Sequence, residues 1–488
     1  MVPRQRAVSG AAGAERGLMT KAEKIKFFDE AAATRDLWRA RNRYYHSELR
    51  DFFRFVIPEG ASVLEVGSGT GDLLAELKPA RGLGVDFSPA MTAAAKKRHP
   101  ALDFTTDDIE ALATTEKFDY VVMQDLLGNL DDIWLAFRSL SKVTGPETRI
   151  AITSYNPLWE PLVILAETFG LKIKNTRQNW LAIADIENLL YLNNYEVIKK
   201  GCRFLMPFHI PLISTFLNKF LAKMPLFKSL GLVQFIVARE TPAKPSPAAY
   251  STSVMVPCRN EAGNMEQLFN EIPVLGKGTE LIFVDGNSDD GTVEKIREHS
   301  VKRPEIPVKV ILQGGAFGKA DAVRKGFSAA SGDILMILDA DLTVVPEDLK
   351  KFYAAIAEGK GEFINGSRLV YPMEKGAMRF LNMLGNKTFS LIFTWTLGQR
   401  IKDTLCGTKV LLRSNYDKIK AGRAYFGDFD PFGDFDLLFG ASKLNLRITE
   451  LPVSYKERKY GETKISRFRH GLLLFKMSYI AFKKLKLS

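Results

Sequence analysis

The sequence runs to 488 residues with 68 Lys and Arg against 56 Asp and Glu, a formal net charge of +12, and a 46% apolar share. That length exceeds one ordinary core and implies two domains, and the charged and apolar fractions are those of a soluble globular protein. Cys202, Cys258 and Cys406 lie far apart. Their spacing excludes a disulfide framework or a zinc-ligand cluster and points to a reducing cytoplasm, while the basic excess points to anionic partners.

Residues 1–20 are rich in Ala, Gly and Arg and lack the apolar core of a secretory signal, so a disordered tail is expected, with Met19 as an alternative start. No stretch reaches the roughly 18 to 20 apolar residues of a spanning helix. From Lys21 to Phe55 apolar residues recur at helical spacing. Next, Ala61–Leu77 (ASVLEVGSGTGDLLAEL) reads as a short strand that breaks at Gly67, Gly69 and Gly71 before a helix opens. Alternate glycines let the backbone turn tightly against a ligand, and a helix start offers unpaired amides, which is a nucleotide-type site. The following strand, GLGVDFSP, ends at Asp86, placed to take two ribose hydroxyls. A dehydrogenase turn needs its third glycine one residue later than it stands here.

Glu65, the glycine turn, Asp86, FTTDDIEAL and KFDYVVMQDLL together resemble class I methyltransferases that use S-adenosylmethionine, over about Leu37 to Glu240. The resemblance implies a Rossmann-like fold. It puts Glu65, Gly67, Gly69 and Gly71 on the methionine part of the cofactor, Asp86 on its ribose, Asp108 and Ile109 beside adenine, and Gln124 and Asp125 near the methyl group. Tyr155, Trp159, Asn179 and Trp180 are either acceptor-pocket or core residues, and His46 is a possible base. The insertion between Leu205 and Leu232, greasy and dotted with Lys219, Lys223 and Lys228, is either an interfacial or an ordinary packing helix.

Thr241–Tyr250 (TPAKPSPAAY) has no periodicity and marks a linker, so the N-terminal domain spans 21–240. Beyond it, strands alternate with helices, which implies an α/β domain with a largely parallel sheet and ligands at the strands' carboxyl ends. In ILMILDADL, Ile334–Leu342, an apolar run leads into Asp339 and Asp341. Strand alternation lets both carboxylates face one way and hold Mg²⁺ or Mn²⁺ with a diphosphate; alternatively they cap a helix or bond a turn.

The order of segments over 251–470 resembles family 2 glycosyltransferases of the GT-A fold, the polyprenyl-phosphate sugar transferases in particular. By that resemblance Pro257, Glu261, Asp285 and Lys319 contact a nucleotide-sugar donor, Asp339 and Asp341 bind the metal, Arg368 and Arg379 belong to the substrate site, and Arg458 and Lys464 grip phosphates. Asp436 faces the donor sugar and is, with Asp341, the expected catalytic residue; if the acceptor is a sugar hydroxyl, Asp436 or Asp434 must take its proton. Two positions depart from the pattern: Thr343 stands where many relatives have a metal-touching Gln, and Gly286 replaces an Asp.

The expectation is a bifunctional enzyme that transfers sugar to a polyprenyl phosphate and methyl groups from S-adenosylmethionine, in glycolipid or surface-polysaccharide synthesis. Alternatives are a glycan-hydroxyl acceptor, or an N-terminal half that only senses S-adenosylmethionine or docks. A phosphate acceptor is already ionised and needs no strong base, whereas a hydroxyl does. Basic, apolar stretches around Phe389 and over the C-terminal 471–488 suit a peripheral protein on the anionic inner face of the cell membrane. No nucleic-acid target motif is present.

Overall fold

The structure is a computed structural model describing residues 19–172, 178–242, 250–315, 318–368, 380–427, 430, 432–433, 435–456, 458, 460 and 467–487. Most of the expected tail and linker lie outside the described residues, as do Arg379, Asp434 and Lys464. Two compact units form, one of residues up to 193 with 202–209 and 230–235, the other of 194–201, 210–229 and 236–488. The segment 210–229, assigned to the N-terminal domain on sequence grounds, thus groups with the C-terminal unit.

The helical region expected over Lys21–Phe55 forms three helices, Lys21–Ala32, Arg35–Arg41 and Arg43–Val56. Thr20 and Glu23 cap the first with reciprocal bonds to each other's backbone. The third buries Tyr45, Leu49, Phe52, Phe53 and Val56, one stripe at helical spacing. Seven strands follow: β1 (Ser62–Val66), β2 (Arg81–Asp86), β3 (Asp103–Thr106), β4 (Tyr120–Gln124), β5 (Arg149–Tyr155), β6 (Tyr195–Arg203) and β7 (Val233–Glu240). They lie in the order β3-β2-β1-β4-β5-β7-β6. β1 pairs in parallel with both β2 and β4, so the connection reverses direction there. Such a switch point opens a crevice at the carboxyl ends of the strands, where the glycine turn lies.

The second sheet holds β8 (Thr252–Cys258), β9 (Thr279–Asp285), β10 (Val308–Leu312), β11 (Ile334–Ile337), β12 (Phe363–Ser367), β13 (Lys409–Leu412) and β14 (Ile448–Pro452). Their order is β10-β9-β8-β11-β13-β12-β14. The first four are mutually parallel, and β13 runs antiparallel to β11 and β12. Val254, Val256, Leu281, Phe283, Ile334 and Met336 fill the core beneath it. The register sets Cys258 opposite Asp285 and Asp285 opposite Leu312, so polar side chains just past those ends share one rim.

Candidate functional sites

In the N-terminal unit Gly67, Gly69 and Gly71 all adopt left-handed φ, of 74°, 52° and 76°, which only glycine takes without strain. The amides of Gly67 and Ser68 donate to the Val85 carbonyl at 2.7 and 3.0 Å, tying the turn to β2. Asp86 accepts from the Gly69 and Ser88 amides at 2.8 and 2.9 Å, and Glu65 accepts from the Leu74 amide at 3.0 Å. Burial pushes the Glu65 carboxyl up to about 8, against the pull of the Leu74 amide and Arg35. Burial raises Asp86 as well.

Glu65, Gly67, Asp86 and Gln124 line one cavity of about 1370 Å³, more than the ~300–1,000 Å³ usual for a single small-molecule pocket. Asp108 and Ile109 line a small recess beside it that also touches Gly67 and Asp86. Asp108 bonds Lys21 and the Glu110 amide. Gly69 and Gly71 shape the turn without lining the cavity.

Past Gln124 the cavity continues to Tyr45, Tyr155 and Trp159. Asp125 sits there with φ of 50°, a strained value for a residue with a side chain. Its carboxylate accepts from the Tyr45 hydroxyl at 2.7 Å and the Thr153 hydroxyl at 3.0 Å, and burial raises it. His46 also lines the cavity, but burial, then Arg39 and Arg35, push its imidazole down to about 4. It is a weak base, and Asp125 is the better-held one. Asn179 instead donates to the Leu130 carbonyl at 2.8 Å, and Trp180 packs on the core.

In the C-terminal unit β11 ends at Ile337, so Asp339 and Asp341 do not share an extended strand as expected. A turn carries them: the Leu342 amide donates to the Asp339 carbonyl at 3.3 Å, and Leu342 has φ of 53°. Thr343 donates to Asp341 Oδ1 from its amide at 3.1 Å and its hydroxyl at 2.8 Å. Asp341 therefore bonds a turn, and its other oxygen meets Arg458. Lys319 Nζ stands 2.6 Å from Asp339 Oδ1. Burial works to raise Asp339, and Lys319, with Lys409 and Arg368 behind it, outweighs burial and holds the carboxyl below its ordinary value. A β-carbon at Gly407 would fall 1.9 Å from Asp339 Oδ2 and 2.7 Å from Lys319 Nζ, so a side chain there would push on this ion pair.

Two hard carboxylates, each already paired with a monovalent cation, fit a Mg²⁺ or Mn²⁺ ion that keeps water and phosphate as its other ligands. Among the described residues no three acidic, His or Cys side chains gather into a fuller cage.

Around this turn, Glu261 accepts from Asn264 Nδ2 at 2.7 Å and lies 3.6 Å from Arg458 Nη1. Asp285 at the end of β9 accepts from the Ser288 amide at 3.0 Å. Pro257 sits one residue from the end of β8. Arg368 is placed differently from a free phosphate ligand: it forms a two-point pair with buried Asp403, at 2.7 and 2.8 Å, and stacks on Tyr455. Asp436 begins the helix Phe435–Lys443, where Arg423 Nε reaches its Oδ2 at 2.8 Å and Arg324 Nη2 at 3.4 Å. Arg35, Tyr45, Arg324 and Arg423 escaped sequence reasoning. Only the fold brings each to its carboxylate or turn.

A family profile described as "Glycosyl transferase family 2" matches residues 253–419, and one described as "Methyltransferase domain" matches residues 37–200. The chain is 32% identical over 220 residues to a dolichol-phosphate mannosyltransferase of Pyrococcus furiosus, covering 44% of this chain and 58% of that one. It is 27% identical over 218 residues to an undecaprenyl-phosphate 4-deoxy-4-formamido-L-arabinose transferase of Edwardsiella ictaluri, covering 43% and 62%. The chain thus spans about three fifths of the length of these relatives. A glucosyl-3-phosphoglycerate synthase structure from Mycobacterium tuberculosis, with Mn²⁺ and UDP, aligns at a TM-score of 0.36 and 18% identity over 49% of this chain and 81% of that one. The two matched profiles lie each on its own α/β sheet, so the chain joins a methyltransferase-type domain to a glycosyl transferase family 2-type domain.

Proposed function

We propose that the chain transfers a sugar from a nucleotide sugar to a polyprenyl phosphate, with a divalent metal at Asp339 and Asp341, and methylates a second acceptor at the Gln124–Asp125 end of the N-terminal cavity. The observation that carries the acceptor choice is the state of Asp436. With Arg423 and Arg324 both directed at one of its oxygens, its carboxylate is committed to ion pairs rather than to a sugar hydroxyl. An ionised phosphate requires no general base.

In this reading Mg²⁺ or Mn²⁺, when bound, neutralises charge on the departing diphosphate. Lys319 and Arg458, released from the two aspartates, turn to the diphosphate oxygens as charge-assisted donors. Glu261 and Asp285 fix the nucleoside side. The phosphate attacks the sugar from the face opposite the leaving group, inverting it. In the other half Asp125, backed by Tyr45 and Thr153, accepts the proton of the methyl acceptor.

A membrane-surface location on the cytoplasmic side accompanies this reading. No helix among the described residues is long and apolar enough to cross a bilayer. The helix Arg467–Leu485 exposes Leu472, Phe475 and Tyr479 among Lys476, Lys483 and Lys484. Segment 210–229 exposes Leu212, Phe216 and Leu226, and its Lys223 carbonyl accepts from Trp395 Nε1 at 2.7 Å. Apolar faces with basic flanks suit an anionic headgroup layer.

The test is a panel of nucleotide sugars with short polyprenyl phosphate in anionic vesicles, scored by product mass. Sugar phosphodiester formation, with the protein floating with the vesicles at low salt, is expected. Transfer only to glycan hydroxyls would overturn the acceptor assignment, and protein left entirely in the soluble fraction would overturn the membrane location.

A further inference from the structure

The glycine-turn reading leaves Arg35 without a role. It opens the helix Arg35–Arg41 and reaches inward over the turn, so that a β-carbon on Gly69 would lie 2.6 Å from its Nη2, 2.7 Å from Cζ and 3.0 Å from Nε. Nε is buried without a hydrogen-bond partner, and among the described residues no ion pair joins the guanidinium. Burial lowers its affinity for a proton despite the attraction of Asp86 and Glu65. The nearby carboxylates are engaged elsewhere. Asp86 accepts backbone amides, Glu65 accepts from Leu74, and Asp72 pairs with Arg39 at 2.8 Å. A buried guanidinium without a direct anion is unfavourable, and a ligand carboxylate would relieve it.

Arg35 lines the same cavity as Glu65 and Asp86. That wall therefore offers a cation at one point and carboxyl groups at others, a pattern complementary to a zwitterion attached to a ribose. The carrier helices are also pinned over the cavity. Lys24 Nζ donates to the Asn129 carbonyl at 3.0 Å, the Ala90 amide donates to Asp29 at 3.0 Å, and Phe28 meets Phe87 edge-on at 5.4 Å.

We propose that Arg35 receives the α-carboxylate of S-adenosylmethionine, and that this bond holds residues 21–41 closed over the cofactor. The assignment rests on the methyltransferase reading of this unit. Its consequence is specificity for ligands that carry the amino-acid end.

The test is calorimetry on the full chain with S-adenosylhomocysteine and with 5′-methylthioadenosine, which keeps the nucleoside and lacks the carboxylate. The wild-type protein is expected to prefer the former by at least tenfold. Arg35→Met should weaken S-adenosylhomocysteine ten- to a hundredfold, the range of one charge-assisted bond, and leave methylthioadenosine within about twofold, while Arg35→Lys restores part of the loss. Amides of residues 21–41 should exchange more slowly with S-adenosylhomocysteine and unchanged with methylthioadenosine. Equal weakening of both ligands, or no weakening of either, overturns the assignment. Should Arg35→Met fail to fold, Arg35→Lys decides on the same ratio. Wild-type protein that binds neither ligand overturns the methyltransferase reading itself, a result distinct from an unchanged ratio in Arg35→Met.

Discussion

The glycine-turn site and the aspartate-turn site treat buried charge in opposite ways. In the first, Glu65 and Asp86 receive only backbone amides, burial raises both carboxyls, and a large cavity stands open beside them. In the second, Lys319 and Arg458 already neutralise Asp339 and Asp341. One site is a container whose charges a ligand completes; the other must exchange ion pairs when its ligand arrives. Difference of this kind predicts different responses to the same class of substitution, carboxylate to amide.

The sharpest contrast should come at Asp339. Asp339→Asn is expected to cut glycosyl transfer on the order of 10³-fold, because it removes a hard ligand where leaving-group charge develops. S-adenosylhomocysteine affinity measured on the same protein should stay within twofold. Retained sugar transfer at saturating metal would break the comparison.

Glu65 should show its effect in stability instead. The folded carboxyl keeps its proton to about pH 8, whereas an unfolded one loses it near its ordinary value of 4.5. Folded protein then binds more protons between these values, so stability is full below about pH 4.5 and falls as pH rises to 8, at up to ~1.4 kcal/mol per pH unit. Glu65→Gln should flatten that slope in urea melts of the ligand-free chain, since a neutral amide can still accept from Leu74. A slope unchanged by the substitution would place the proton elsewhere.

The smallest effect is expected at Asp436. With its carboxylate spent on two arginines, Asp436→Asn should lower turnover with polyprenyl phosphate less than tenfold once substrates saturate. Collapse of turnover would make it a base and would restore the hydroxyl-acceptor alternative.

Features that one short segment dictates were legible in the sequence. Gly67, Gly69 and Gly71 announce positive φ because no other residue suits it, and the apolar run before Asp339 announces a buried strand. The backbone that carries the two aspartates was misjudged for a local reason: Thr343 bonds back to Asp341 and closes a turn where alternation assumes extended chain. Partners supplied from afar were not legible. Arg35 lies before the stretch that resembles a methyltransferase, and Tyr45 reads as one more core aromatic on a helix that does bury its neighbours. Arg368 shows the reverse case, a motif arginine whose fork is filled by Asp403, 35 residues on.

The contact between Gly407 and Asp339 couples two distant parts of the chain. With 1.9 Å between a hypothetical methyl and a carboxylate oxygen, the two positions are sterically married across separate segments of chain. An alanine at 407 would have to displace the Asp339 carboxylate or its Lys319 partner, so a change at 407 would act on the ion pair from a segment remote in sequence.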